Sequence, residues 1–165
     1  MEASLSLQPY DPVLFPLLQS WITDKYLLLQ YSGTHFRFPL TQEQLDHYAT
    51  EFPERKMYFG MLNDTPVAFG EIIPQDSGSV RLARLLIGDP TLRGHGIGLS
   101  FVNALIAEAK ERFNNPRIDL FVFSGNKPAI SCYTKAGFIF MPEENIIATF
   151  EGQEYVSCKM KLAGT

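Results

Sequence analysis

Apolar positions along the chain change period several times, and each change marks an element. Ser4 to Gln8 alternates weakly, as a first strand would. From Asp11 the period turns helical through Leu14, Leu17, Leu18, Trp21 and Ile22, with Asp11 placed to cap and Pro12 at the first helical position. A shorter helix is expected from Asp24 to Gln30, ending before Tyr31-Ser32-Gly33. Thr41-Gln42-Glu43-Gln44 has capping-box spacing and predicts a helix running toward Thr50.

Strand periodicity follows. Lys56 to Leu62 and Pro66 to Ile73 flank Asn63-Asp64-Thr65, a hairpin signal, and Ser79 to Ile87 makes a third strand after a turn at Gln75 to Gly78. A tight turn there would set Glu71 roughly opposite Arg84. Gly96 to Phe113 then aligns Leu99, Val102, Ile106, Ala109 and Phe113 on one helical stripe. Ile118 to Phe123 is nearly all apolar, the pattern of a central strand. Asn126 is placed to cap a helix ending at Ala136, with Gly137 as its stop and Phe138 able to pack back on Tyr133. Ile146 to Phe150 and Tyr155 to Leu162 read as two last strands. No repeat or low-complexity linker divides the sequence, so 1–165 is expected to form a single α/β (α+β) domain.

Composition narrows the function classes. The 165 residues carry 14 Lys plus Arg against 18 Asp plus Glu, a net of −4, with a pI near 5.3. An acidic chain lacks the basic footprint of a non-specific nucleic-acid binder. Cys132 and Cys158 are the two cysteines, with neither a zinc-type spacing nor a disulfide framework, so no metal is expected and both thiols read as reduced. Glu2 stands where a leader would be basic, and no apolar run approaches the ~20 residues of a membrane span. A cytoplasmic protein without membrane contact is the expectation.

The chemistry concentrates in Arg93-Gly94-His95-Gly96-Ile97-Gly98, just where the long helix opens. Alternating glycines at a helix N-terminus let backbone N–H groups approach an anion where the helix dipole also favours it. The dinucleotide fingerprint fails here, since five positions after Gly94 comes Leu99, and the Gly-Lys-Ser/Thr of a nucleotide loop is absent. A plain glycine-rich turn would explain this patch equally well.

A second patch tips the balance. Arg93-x-x-Gly96-x-Gly98, the long helix, the apolar strand and then Asn126-x-x-Ala129-x-x-x-Tyr133-x-x-x-Gly137-Phe138 together resemble the GNAT superfamily of acyl-CoA-dependent N-acetyltransferases. The resemblance covers Pro66 to Phe138. It implies a mixed, mostly antiparallel sheet of about seven strands, splayed at a cofactor slot and flanked by about four helices. It places that slot between the strands before and after Asn126. It implies acetyl-CoA as acyl donor. The backbone of Leu85, Leu86 and Ile87 would bond its pantetheine, Arg93, Gly94, His95, Gly96, Ile97 and Gly98 would wrap its pyrophosphate, and Asn126 would touch the pantetheine arm. Tyr133 would be the general acid to the leaving thiolate.

The remaining chemistry follows from the reaction. A thioester is already activated, so positioning an amine and supplying a donor near Leu86 or Ile87 would suffice. An amine with a pKa near ~10.4 must first lose its proton. Glu71 is the candidate base, and a cross-strand ion pair with Arg84 is its competing role. His35, His47 and His95 read as solvated, Cys132 as a small filler, and Lys127 and Lys135 as surface lysines near the cofactor helix. Tyr31, Phe36 and Phe38 read equally as acceptor site or core. A CoA-binding sensor without turnover and an enzyme using another acyl donor are the alternatives to acetyl transfer. Polyamines, aminoglycoside-like drugs, amino acids and protein N-termini all qualify as acceptors, and a homodimer is a compatible assembly.

Charge is unevenly divided. Over 79–137, eight basic side chains oppose four acidic ones, so the remainder of the −4 chain carries −8. That division suits an anionic cofactor on one side and predicts a cationic amine on the other.

Overall fold

The computed structural model describes residues 5–165. Ser4 of the expected first strand, and the leader reading at Glu2, lie outside the described residues. Among the described residues, eight strands form one sheet: β1 (Leu5–Pro9), β2 (Lys56–Leu62), β3 (Thr65–Pro74), β4 (Ser79–Ile87), β5 (Arg117–Phe123), β6 (Phe138–Phe140), β7 (Ile146–Phe150) and β8 (Gln153–Leu162). Five α-helices accompany them: α1 (Phe15–Trp21), α2 (Lys25–Ser32), α3 (Gln42–Glu51), α4 (Ile97–Arg112) and α5 (Lys127–Ala136). The spatial order is β1-β2-β3-β4-β5-β8-β6, with β7 also on β8. All pairs are antiparallel except β4 with β5. This is the mixed architecture expected, with one strand and one helix more.

The extra elements have local causes. Asp11 does cap at the expected place, accepting from Val13 N, but it opens a 3₁₀ turn at Pro12–Leu14 and α1 begins at Phe15. Pro16 has no N–H to bond back to Pro12, so a continuous α-helix cannot run through it. At α3, Thr41 accepts from Gln44 N, yet the Gln44 side chain does not return the bond. Its amide pins the preceding loop instead, accepting from Arg37 N and donating to the Arg37 and Pro39 carbonyls. The three residues after Gly137 make β6 on the end of β8, a pairing that the short Phe138-Ile139-Phe140 run barely advertises.

The sheet is packed on both faces. Against one lie α4 and α5, with Phe101, Leu105 and Ala109 meeting Leu82, Ile118 and Met160. Against the other lie α1 to α3, where Leu18, Leu28, Leu45 and Tyr48 cover Phe59, Phe69 and Leu86. Phe59 and Phe69 are fully buried, each side chain contributing about 1.5–3 kcal/mol of transfer free energy. Tyr31 and Phe36 belong to this second core, whereas Phe38 is 44% exposed.

Two irregularities shape the middle of the sheet. Phe69 pairs with Leu86 but Glu71 pairs with Ala83, so Gly70 faces both Arg84 and Leu85 in a β-bulge. Arg84 sits at φ +53 there, which corrects the simple opposition of Glu71 and Arg84. The second irregularity is that β4 and β5 pair only over Ser79–Arg81 with Arg117–Asp119 and then part. The parting therefore falls between β4 and β5, both ahead of Asn126. It does not lie between the strands before and after that residue, because β8 stands between β5 and β6.

Gly88 follows β4 at the mouth of this parting and donates to Val67 O at 2.8 Å. A Cβ there would stand 2.1 Å from Trp21 Cε2. Gly88→Ala is expected to lower stability by about 1–3 kcal/mol through overpacking, read as an earlier urea midpoint with an altered Trp21 fluorescence. An unchanged midpoint would contradict the contact.

Candidate active site

Where β4 leaves β5, a cleft of about 470 Å³ opens among four elements. One wall is the end of β4, with Leu85, Leu86 and Ile87. Beyond the Ser79–Arg81 pairing these residues bond β3 alone, so one edge of their backbone is free toward the cleft. That edge supplies N–H and C=O groups without any demand on side-chain identity.

The opposite rim is the start of α4. Asp89 accepts from Thr91 N and Thr91 Oγ1 and fixes a 3₁₀ turn at Pro90–Leu92. Arg93, Gly94, Gly96 and Gly98 then line the cleft. Gly94 and Gly96 sit at φ +83 and +79, conformations that L side chains rarely adopt, and a Cβ on either would project into open space. Gly96 caps α4 without any side-chain hydrogen bond. The first-turn N–H groups of a 16-residue helix are thus left to a ligand, at its positive end.

The floor is α5. Asn126 Oδ1 accepts from Ala129 N at 3.4 Å, which leaves its N–H2 group available. Tyr133 is 8% exposed and still lines the cleft. Its ring meets Phe138 edge-on at 6.1 Å, the packing expected from Gly137, which turns the chain at φ +106. Burial, with Cys132 adding to it, holds the Tyr133 hydroxyl well above the ordinary tyrosine range. Tyr133 therefore carries its proton throughout the physiological range. Cys132 also faces the cleft, with its thiol pushed up by burial against a smaller opposing effect of Lys135.

The fourth wall is α2, through Leu27, Gln30 and Tyr31. Asp24 caps this helix by accepting from Leu27 N at 2.8 Å, and it runs to Ser32 rather than ending at Gln30. The two extra residues bring Tyr31 onto the cleft. Leu27 and Gln30 carry no chemical signature in sequence; only a helical face turned toward the β4 end selects them.

Most of the expected residues converge here: Leu85, Leu86, Ile87, Arg93, Gly94, Gly96, Gly98, Asn126 and Tyr133 line one cleft. Three do not. His95 is exposed and off the wall, and Ile97 is turned into the core at 9% exposure, so each can offer only its main chain. Glu71 is 1% exposed, behind β4 on the α1–α3 face. Its Oε2 accepts from Arg84 Nη1 at 2.8 Å and its Oε1 accepts from the Tyr48 hydroxyl. Burial pushes the Glu71 carboxyl up, opposed by Arg84 and by the Tyr48 bond. The ion pair weighed against catalysis is present. Lys135 lines the cleft and Lys127 does not; with Arg93 it is one of two charged lining residues, both basic.

Comparison with known proteins identifies the family and the fold. The sequence profile of the Acetyltransferase (GNAT) family matches residues 18–138. Among solved structures, spermidine N-acetyltransferase from Vibrio cholerae, in complex with CoA and spermine, superposes with a TM-score of 0.78 at 15% identity. That match covers 98% of this chain and 96% of that one. The aminoglycoside acetyltransferase AAC(6')-Ib, in complex with paromomycin and acetyl-CoA, superposes with a TM-score of 0.73 at 20% identity, covering 94% and 92%. At such identities the likeness is one of fold, while the family profile spans most of the sequence. The chain belongs to the GNAT family of acetyltransferases.

Proposed function

We propose that the protein transfers the acetyl group of acetyl-CoA to a primary amine by direct attack in a ternary complex. The observation that carries this reading is the pairing of a free β4 edge with the positive-φ glycine rim of α4, in one cleft that ends at Tyr133. The fit to the cofactor rests on that cradle. Gly94 and Gly96 leave room where a side chain would intrude, α4 offers unbonded N–H groups, and Arg93 and Lys135 add positive charge for phosphates. The V. cholerae and AAC(6')-Ib structures, which hold CoA or acetyl-CoA, lend the same assignment support.

The bound thioester supplies an acyl group already activated toward amines. The chain's task is then geometric and electrostatic. Backbone N–H groups near Leu86 and Ile87 would donate to the acyl oxygen as negative charge develops on it. Asn126 would hold the pantetheine arm through its free N–H2 group. Tyr133, kept protonated by burial, would give its proton to the departing sulfur. Cys132 is unsuited as an acyl carrier, because burial favours its thiol form.

Among the described residues, no Asp, Glu or His lines the cleft. We therefore assign the amine's proton to water and give Glu71 the role of fixing Arg84, not of direct base. The same lining lends no acid to the cationic acceptor that the −8 remainder suggests; that charge would act only as a long-range field.

Acetyl-CoA with a panel of primary amines should release free thiol. CoA binding without release from any amine would favour a sensor instead. Tyr133→Phe should lower kcat by about a hundredfold or more, with acetyl-CoA affinity nearly retained; equal losses of affinity and rate would make Tyr133 structural. Because the Tyr133 pKa is raised, kcat should show no Tyr133-dependent fall up to pH ~10, the ordinary tyrosine value. A fall below that, absent from Tyr133→Phe, would contradict the assignment. Gly96→Glu should abolish acetyl-CoA binding by calorimetry, through bulk, backbone strain and like charge. Unchanged affinity would refute the pyrophosphate assignment.

A further inference from the structure

Four buried side-chain atoms lack a hydrogen-bond partner among the described residues: the hydroxyls of Tyr10 and Tyr31, and Nε of Arg55 and Arg84. All four can donate, and all belong to one neighbourhood. The Tyr48 hydroxyl accepts from Nη1 of both arginines at 2.9 Å. The Tyr10 and Tyr31 rings lie 5.8 and 6.4 Å from the ring of Phe69. Buried polar atoms are nearly always bonded, so four orphan donors in one place call for an acceptor group.

Charge points the same way. Arg84 is paired with the buried carboxylate of Glu71, while Arg55 bonds the Tyr48 hydroxyl and has no carboxylate of its own among the described residues. Asp46, whose charge bears on Tyr10, and Glu51, whose charge bears on His35, are both exposed. Arg55 stacks on Phe52 at 3.7 Å, and Arg84 lies 4.9 Å over Tyr48, so both forks are held in place. Besides burial, these two arginines hold the His35 imidazole below its usual range. The cluster lacks a negatively charged, planar hydrogen-bond acceptor, which a guanidinium fork matches best.

Its position joins it to the cleft. Tyr31 is shared by the cleft wall and the cluster. Arg84 precedes Leu86 by two residues on the same side of β4, about 6–7 Å along a strand. Arg84 does not itself line the cleft, so a substituent of an amine held beside Leu86 would meet the cluster past the Tyr31 hydroxyl.

We propose that the cluster behind Tyr31 recognises a carboxylate on the acceptor, so that the amine acetylated is that of a free amino acid. This rests on the acetyl-transfer reading above. Contact selection of this kind dominates over the diffuse −8 field, which salt screens beyond about 8 Å.

The test is thiol release from acetyl-CoA with free amino acids, their C-terminal amides, the matching decarboxylated amines, and polyamines. At least one free acid should exceed its own amide in kcat/KM by about a hundredfold or more. Arg55→Gln and Tyr31→Phe should each shrink that acid-to-amide ratio by about tenfold. Because the ratio is taken on one protein, any loss of folded enzyme or cofactor affinity cancels. Amides or polyamines used as well as acids, or a ratio unmoved by both variants, would overturn the carboxylate assignment and leave acetyl transfer standing. Absence of release from every acceptor would overturn both.

Discussion

A strand in the middle of a sheet ordinarily bonds on both edges, and β4 does so only for its first three residues. Beyond Arg81 it keeps β3 and loses β5, which leaves main-chain donors and acceptors unpaired at the centre of the molecule. Unpaired backbone groups away from water are costly, so this arrangement persists only where something else meets them. Much of the remaining structure bears on that edge. Residues of α4 and α5 line the gap, the glycine rim opens on it, and Tyr133 and Asn126 reach it from α5 and its cap.

The bulge in β4 belongs to the same constraint. Arg84, not a glycine, occupies φ +53, a conformation that costs on the order of 1 kcal/mol or more for such a residue. Its side chain is tied at 2.8 Å to Glu71 and at 2.9 Å to Tyr48. The ion pair is buried, and such pairs contribute through the geometry they impose more than through net stability. Here the geometry imposed is the direction of the next three residues, the ones that form the cleft wall. Glu71 thus bears on the site through the backbone of β4, from behind it.

Much of this was legible in the sequence, for identifiable reasons. Asn126 and Gly137 delimit α5 because capping and left-handed chain reversal are local demands that few residues meet. The stripe of Val102, Ile106 and Ala109 was readable as α4 because these residues are buried in the core against the sheet. Gly94 and Gly96 were readable because their positive-φ conformations are open to hardly any other residue. What depended on distant partners was not readable. The bulge exists only through the register of β3 on β4, so Glu71 could be brought near Arg84 but not placed behind the cleft. β6 is three residues whose pairing depends on β8. Leu27 and Gln30 reach the cleft because α2 packs over β4, and nothing in their identity announces it; Tyr31, an aromatic, could be read as site or core but not assigned to both.

The central claim is that the unpaired edge of β4 and the glycine rim of α4 are two halves of one acetyl-CoA site. Hydrogen–deuterium exchange with and without acetyl-CoA tests it most directly. The account predicts that the ligand slows exchange together at the Leu85 to Ile87 amides and at those of Gly94 to Leu99, with β2 unaffected. Protection confined to one of these segments, or appearing in neither, would contradict it.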